Sequence, residues 1–213
     1  IWESAGNIIA LLDADDEWLP DRLKKTVRPL IDNAKVGLTY CRSAMVSEDG
    51  SEGLLGRRDE EYRVSGGIYP PPRISVPAST FRREVFDTCG FFEESLPCFN
   101  DFDMFLRAAE KYEVREIPET LVKVHAHGSS QRHRYDADVR INARLKVMAR
   151  ALARRPDLYD RDAALAGTLF ACGIHALDGG RQSQAFRYFM ASWFLVPRWA
   201  ALRFGLGSLF RRA

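Results

Sequence analysis

The chain has 213 residues, 46% of them hydrophobic and 28% charged, and its formal net charge is +2. These proportions suit one packed domain under a soluble surface, or one domain with a small appendage, and a charge so near neutral gives no reason to expect a nucleic-acid partner. No positively charged segment leads into an apolar stretch and a cleavage site, and no run of about 20 apolar residues occurs, so neither a secretory leader nor a spanning helix is expected.

In chain order, residues 8–12 are short, apolar and rich in isoleucine, as a buried strand is. They run straight into Asp13, Asp15, Asp16 and Glu17. Pro20 suits a first helical turn. Leu23, Val27, Leu30 and Ile31 follow at helical spacing, with Pro29 expected to kink or end that helix early. Residues 36–41 predict a second strand, residues 48–51 (EDGS) a turn, and residues 54–72 a long polar loop. Residues 76–81 predict a strand. Residues 101–111 predict a helix with Met104, Phe105 and Ala108 on one face. Residues 113–117 and 121–125 predict two further strands. From Asp136 onward the pattern is helical only, over residues 136–154, 160–177 and 181–196, with a last helix from Pro197 or Arg198. Strands mixed with helices, and then helices alone, predict an α/β domain over residues 1–133 and a helical tail over 134–213. Cys41, Cys89, Cys98 and Cys172 form no Cys-x-x-Cys pair and read as reduced thiols of a cytosolic protein.

Four carboxylates within five positions repel one another, and a divalent cation is the strongest local counter-charge available. Magnesium and manganese favour carboxylate oxygens and usually share their coordination with substrate phosphates. Ligands of open α/β sheets sit outside the carboxyl ends of strands, where Asp13, Asp15 and Asp16 fall. An acidic helix start accounts for Asp16 and Glu17 equally well. It accounts poorly for Asp13, which lies against an apolar run. An EF-hand loop is excluded, because the turn glycine and the closing glutamate are missing. An aspartyl phosphatase, whose strand also ends in Asp-x-Asp, stays open on these residues alone.

GNIIALLDADDEWLPDRL, residues 6–23, closely resembles the Asp-x-Asp (DXD) segment of family 2 glycosyltransferases. ASTFRREVFDTCGFFEESL, residues 78–96, resembles the acceptor-side segment of that family. FNDFDMFLRAAEKYEVREIPETLVKVHAHGSS, residues 99–130, resembles the segment with its catalytic acid and following helix. Ordered matches across residues 6–130 set the phosphatase aside. The resemblance implies a fold that is a partial GT-A (Rossmann-like) mixed sheet with helices, followed by an all-helical C-terminal tail. It implies an inverting transferase that moves a sugar from a nucleotide-sugar donor to a hydroxyl of a glycan or lipid-linked acceptor, in cell-surface polysaccharide or glycoconjugate synthesis. Mn2+ or Mg2+ would bridge the donor diphosphate to the Asp-x-Asp acids. By the same resemblance Asp15 is a metal ligand, and Asp13 holds the ribose or the metal and its water shell. His127 completes the metal or diphosphate site, with His125 two residues earlier on the same strand face. Asp16 is a helix cap or a supporting group. Asp101 is the general base for the acceptor proton, although its residue type suits a helix N-cap equally. The family often has Glu-Asp where this chain has Asn100–Asp101, which removes one neighbouring charge.

The opening strands and helices of the family, which grip base and ribose, have no counterpart ahead of residue 6. The chain accordingly reads as truncated, with weak donor binding expected. That leaves a second reading, a catalytically incomplete remnant that binds a partner or a membrane. In the tail, residues 139–156 carry Arg140, Arg144, Lys146, Arg150, Arg154 and Arg155 and no acid. They read as a solvated basic face, or as one drawn to an anionic membrane or a lipid-linked phosphate. Residues 163–197 resemble one tetratricopeptide helix-turn-helix unit. Residues 198–213 are apolar with arginines as their only charges, which fits an interfacial membrane helix or a plain packing helix. Peripheral membrane contact through the C-terminal helices is therefore expected, with a cytoplasmic location that extends to the inner face of the membrane.

Overall fold

The computed structural model describes residues 1, 3–54, 74–126 and 135–210. The described residues fall into two compact units: residues 1, 3–54, 74–92 and 104–126 in the first, and residues 93–103 and 135–210 in the second.

The first unit is built on a mixed sheet. Its strands are β1 (Ile8–Ala10), β2 (Glu17–Trp18), β3 (Val36–Val46), β4 (Glu52–Leu54), β5 (Ser79–Arg82) and β6 (Glu113–His125). Their order is β1-β5-β3-β6-β2, and β4 pairs with β3. Only β3 and β6 are parallel, and the other pairs are antiparallel. β3 is buried from Val36 to Cys41, as suits a central strand covered on both faces. It runs five residues past the expected end because β4 and β6 keep pairing with it. Gly37 is required there: a Cβ would come within 2.5 Å of the Tyr112 ring.

The two strands expected over 113–117 and 121–125 are one strand. Its register along β3 jumps from Cys41↔Ile117 to Arg42↔Thr120, so Pro118 and Glu119 bulge out. Proline cannot donate to a ladder, and a bulge is where a strand tolerates it. The expected strand over 76–81 opens instead as a 3-10 turn, Val76–Ala78, and becomes β5 only at Ser79.

Helix α1 (Arg22–Asp32) continues through Pro29. Its last carbonyls are served from β5, since the Arg82 guanidinium donates to the Leu30 and Asn33 oxygens. Of the stripe read from the sequence, Leu30 is buried and Val27 half-buried, but the inward face is centred elsewhere. Arg22, Thr26 and Leu30 are buried, whereas Leu23 and Ile31 are 46% and 67% exposed. Thr26 earns this position through hydrogen bonds: its carbonyl accepts from the Thr39 hydroxyl at 2.7 Å, and its own hydroxyl meets Thr80 at 3.1 Å. A short helix absent from the sequence reading, α2 (Arg83–Cys89), follows β5 directly. α3 (Asn100–Ala109) gives its first four residues to the second unit and the rest to the first. The core of the first unit gathers around Phe81, whose ring lies 5.0 Å from Phe86 and 6.0 Å from Phe105.

The second unit is helical: α4 (Ala137–Arg154), α5 (Arg161–Asp178), α6 (Gln182–Leu195) and α7 (Trp199–Phe210). Asp136 and Asp160 cap α4 and α5 by accepting from the Val139 and Ala163 amides at 2.9 and 3.0 Å. Gly180, at φ 72°, makes the left-handed turn between α5 and α6. Phe170, Phe189 and Phe204 form the centre, with centroids 4.9 to 5.7 Å apart. The mixed sheet with helices, followed by a run of helices, is the expected architecture.

Candidate active site

β1 ends at Ala10, and the chain turns back toward the sheet through residues 11–16. The turn closes with the Asp16 amide donating to the Asp13 carbonyl at 3.2 Å. It is fastened on two sides. Asp16 Oδ1 accepts the His125 backbone N–H at 3.1 Å, at the end of β6. Trp18 Nε1 donates to the Pro77 carbonyl at 2.8 Å. Beneath Trp18 lies Arg22, 1% exposed, with its guanidinium carbon 4.2 Å from the indole centroid. Arg22 Nη2 donates to the Pro77 and Ser79 carbonyls at 2.8 and 2.7 Å. Burial lowers the pKa of this guanidinium.

Asp16 is therefore neither a helix cap nor loose. α1 begins six residues later, behind Asp21, and Asp16 ties the turn to β6. Asp13 and Asp15 are left on the solvent side. Burial by the surrounding chain raises the pKa of Asp13, and the Asp15 charge raises it further. The Asp16 carboxyl is raised first by burial, against the pull of the His125 N–H, with the Asp15 and Asp13 charges adding to the rise. The three acids thus disfavour one another's charge in a turn the fold holds fixed, and a cation would relieve that repulsion.

Among the described residues, no three His, Cys, Asp or Glu side chains gather into a complete metal cage. Asp13 and Asp15 fit a smaller role, as a two-carboxylate donor set for a hard divalent cation that takes its other oxygens from phosphate and water. His127 lies outside the described residues. His125 is described, exposed, and joined to the turn through its amide.

Asp101 belongs to the second unit. It stands in the first turn of α3, just after Phe99, which is held at φ 63°. A left-handed aromatic residue is a strained start for a helix. Asn100 Oδ1 accepts the Asp101 amide at 2.9 Å, and Asp101 Oδ1 accepts the Phe102 amide at 2.7 Å. Both side chains thus satisfy donors that a helix start leaves open. The turn is gripped by α4. The Arg144 guanidinium carbon lies 3.8 Å from the Phe102 ring centroid and 5.5 Å from that of Phe99. Arg154 stands 3.7 Å from the buried Asp103, and Arg150 stands 3.6 Å from Glu93. The basic run of α4, read from the sequence as a solvated or membrane-facing surface, has these partners inside its own unit. Nothing in local spacing pointed to them. Trp18 and Arg22 were also missed, although a tryptophan and an arginine four apart, just after the acids, were a readable sign.

The sequence pattern of Glycosyl transferase family 2 matches residues 2–90. A family 2 glycosyltransferase domain is present in this chain. The chain is also 26% identical, over 120 residues, to the uncharacterized glycosyltransferase YwdF of Bacillus subtilis (strain 168), a match that covers 54% of this chain and 44% of that protein. In fold the chain resembles S. aureus TarS 1-349 in complex with UDP-GlcNAc, with a TM-score of 0.60 and 14% identity over 97% of this chain and 66% of that one. It also resembles the mannosyltransferase PcManGT from Pyrobaculum calidifontis in complex with GDP-Man and Mn2+, with a TM-score of 0.58 and 16% identity over 98% of this chain and 56% of that one. The chain spans between 44% and 66% of the length of these three proteins.

Proposed function

We propose that the family 2 domain transfers a sugar, with inversion, from a nucleotide-sugar donor to a hydroxyl of a glycan or lipid-linked acceptor, as part of cell-surface polysaccharide or glycoconjugate synthesis. The observation that carries this reading is the fastened turn after β1, which presents Asp13 and Asp15 to solvent while Asp16, Trp18 and Arg22 hold it in place. The donor-bound complexes of TarS and PcManGT support a nucleotide-sugar ligand, and the Mn2+ in the second supports a cation.

In this reading Asp15 and Asp13 hold Mn2+ or Mg2+, with His127 as a further ligand. When bound, such a cation neutralises a leaving diphosphate. Asp101 is the general base. Its carboxylate takes the proton of the acceptor hydroxyl as that oxygen bonds to the anomeric carbon and the bond from that carbon to the diphosphate oxygen breaks. Asn100 Oδ1 fixes the Asp101 amide, the Phe102 amide orients the carboxylate through Oδ1, and Arg144 holds the rings on either side.

Asp101→Asn separates base from cap. Asparagine keeps an oxygen for the Phe102 amide but cannot accept the proton. Turnover should fall about a hundredfold or more while the KM for the donor stays nearly unchanged. Equal losses in turnover and donor affinity would make Asp101 a structural start of α3 and nothing more.

A further inference from the structure

α7 packs on its unit through one large residue, Phe204, and otherwise through small ones: Ala200, Ala201, Gly205 and Ser208 are buried. This lets α7 close on α6, where a Cβ at Gly205 would already lie 3.4 Å from Phe189 Cβ and Met190 Sδ. Its other large apolar residues point outward. Trp199, Leu206 and Leu209 are 85%, 48% and 53% exposed, and Leu202 lies on the same helical face between them. The end of α6 adds Phe194, 72% exposed, with the Trp193 ring edge-on to it at 5.2 Å. An outward apolar stripe of this kind marks a surface that something covers.

Charge indicates what covers it. Residues 179–213 contain six arginines and no acidic residue. Arg203 is exposed beside the stripe, and Arg198 stands immediately before it. An apolar stripe headed by an indole, in a segment whose only charged residues are arginines, complements an anionic lipid surface. Leucines enter the acyl boundary, the indole sits at headgroup level, and arginines meet phosphates. No helix among the described residues is long and apolar enough to cross a membrane, so α7 would lie on the surface. We propose that α7, with the end of α6, docks this chain onto an anionic bilayer. The inference goes beyond the transferase reading and stands without it.

The test is co-sedimentation of the full chain with phosphatidylcholine vesicles, with and without phosphatidylglycerol. Binding should require phosphatidylglycerol and weaken at high salt. Arg203→Gln should lower partitioning roughly fivefold, the effect of one surface cation. Leu206→Asp and Trp199→Ala, both at exposed positions, should each lower it about tenfold or more, with helical circular dichroism unchanged. Absence of binding, or equal binding to neutral and anionic vesicles, would overturn the proposal. So would a dimer in sedimentation velocity that Leu206→Asp dissociates without any vesicle binding, since the stripe would then be a protein interface.

Discussion

Replacing Arg22 with methionine tests whether the carboxylate turn is fastened from below. Arg22 makes two hydrogen bonds to carbonyls, at 2.7 and 2.8 Å, and lies 4.2 Å from the Trp18 ring centroid. Bonds from a charged donor contribute about 1.5–3 kcal/mol each, and a desolvated cation–π contact about 2 kcal/mol. Against them stands the desolvation of a buried guanidinium, on the order of several kcal/mol. The imbalance is visible in Nε and Nη1, which are buried without hydrogen-bond partners. The net loss in Arg22→Met should be about 3 kcal/mol. For a chain of this size that is a fall in melting temperature of roughly 6–12 °C. Arg22→Lys should lose nearly as much, because an ammonium lacks both the fork for two carbonyls and the flat face for an indole. Chemical denaturation followed by Trp18 fluorescence, with the other tryptophans replaced, reads the effect where it arises. A loss under about 1 kcal/mol for methionine would refute the reasoning, showing that desolvation cancels the bonds.

Arg144→Leu should cost about 2 kcal/mol of stability through the lost stacking on Phe102, and should lower turnover more than donor affinity, because Arg144 acts through the turn that carries Asp101. Equal effects on kcat and KM would reduce Arg144 to packing. Burial pushes the Cys172 thiol from 9.0 up to about 11, so the unfolded thiol ionises first as pH rises. The stability it supports is intact below pH 9 and is lost between pH 9 and about 11, roughly 2–3 kcal/mol in all. Cys172→Ala should flatten that part of the alkaline profile in urea titrations, and an unchanged slope would contradict the assignment.

The helical tail was legible because its signals are local. Asp136 and Asp160 precede apolar runs at helical spacing, and both are caps. β1 and β3 were legible as apolar runs. The short elements β2, β4 and α2 were not, since two to seven residues carry too little periodicity to stand out. α1 shows a different limit. Spacing marked Leu23, Val27, Leu30 and Ile31 as one stripe; Leu30 is buried, but long-range partners on β3, β5 and the segment ahead of it recruited Arg22 and Thr26 in place of Leu23 and Ile31. In the site, the acids themselves were readable from composition. The role of Asp16 was not, because its partner, the His125 amide, lies 109 residues away. The grip of α4 arginines on the Asp101 turn was hidden for the same reason.

The central claim is that the Asp13–Asp15 turn holds a cation together with a nucleoside diphosphate. Isothermal titration of uridine, guanosine and thymidine diphosphate sugars, with and without Mn2+, into the wild-type chain and Asp15→Asn tests it most directly. The expected result is weak binding of at least one donor that depends on Mn2+ and falls about tenfold or more in Asp15→Asn, since a carboxylate ligand to the metal is gone. Binding that is indifferent to Mn2+, or that Asp15→Asn leaves unchanged, would reduce the acidic turn to a structural feature of the loop after β1.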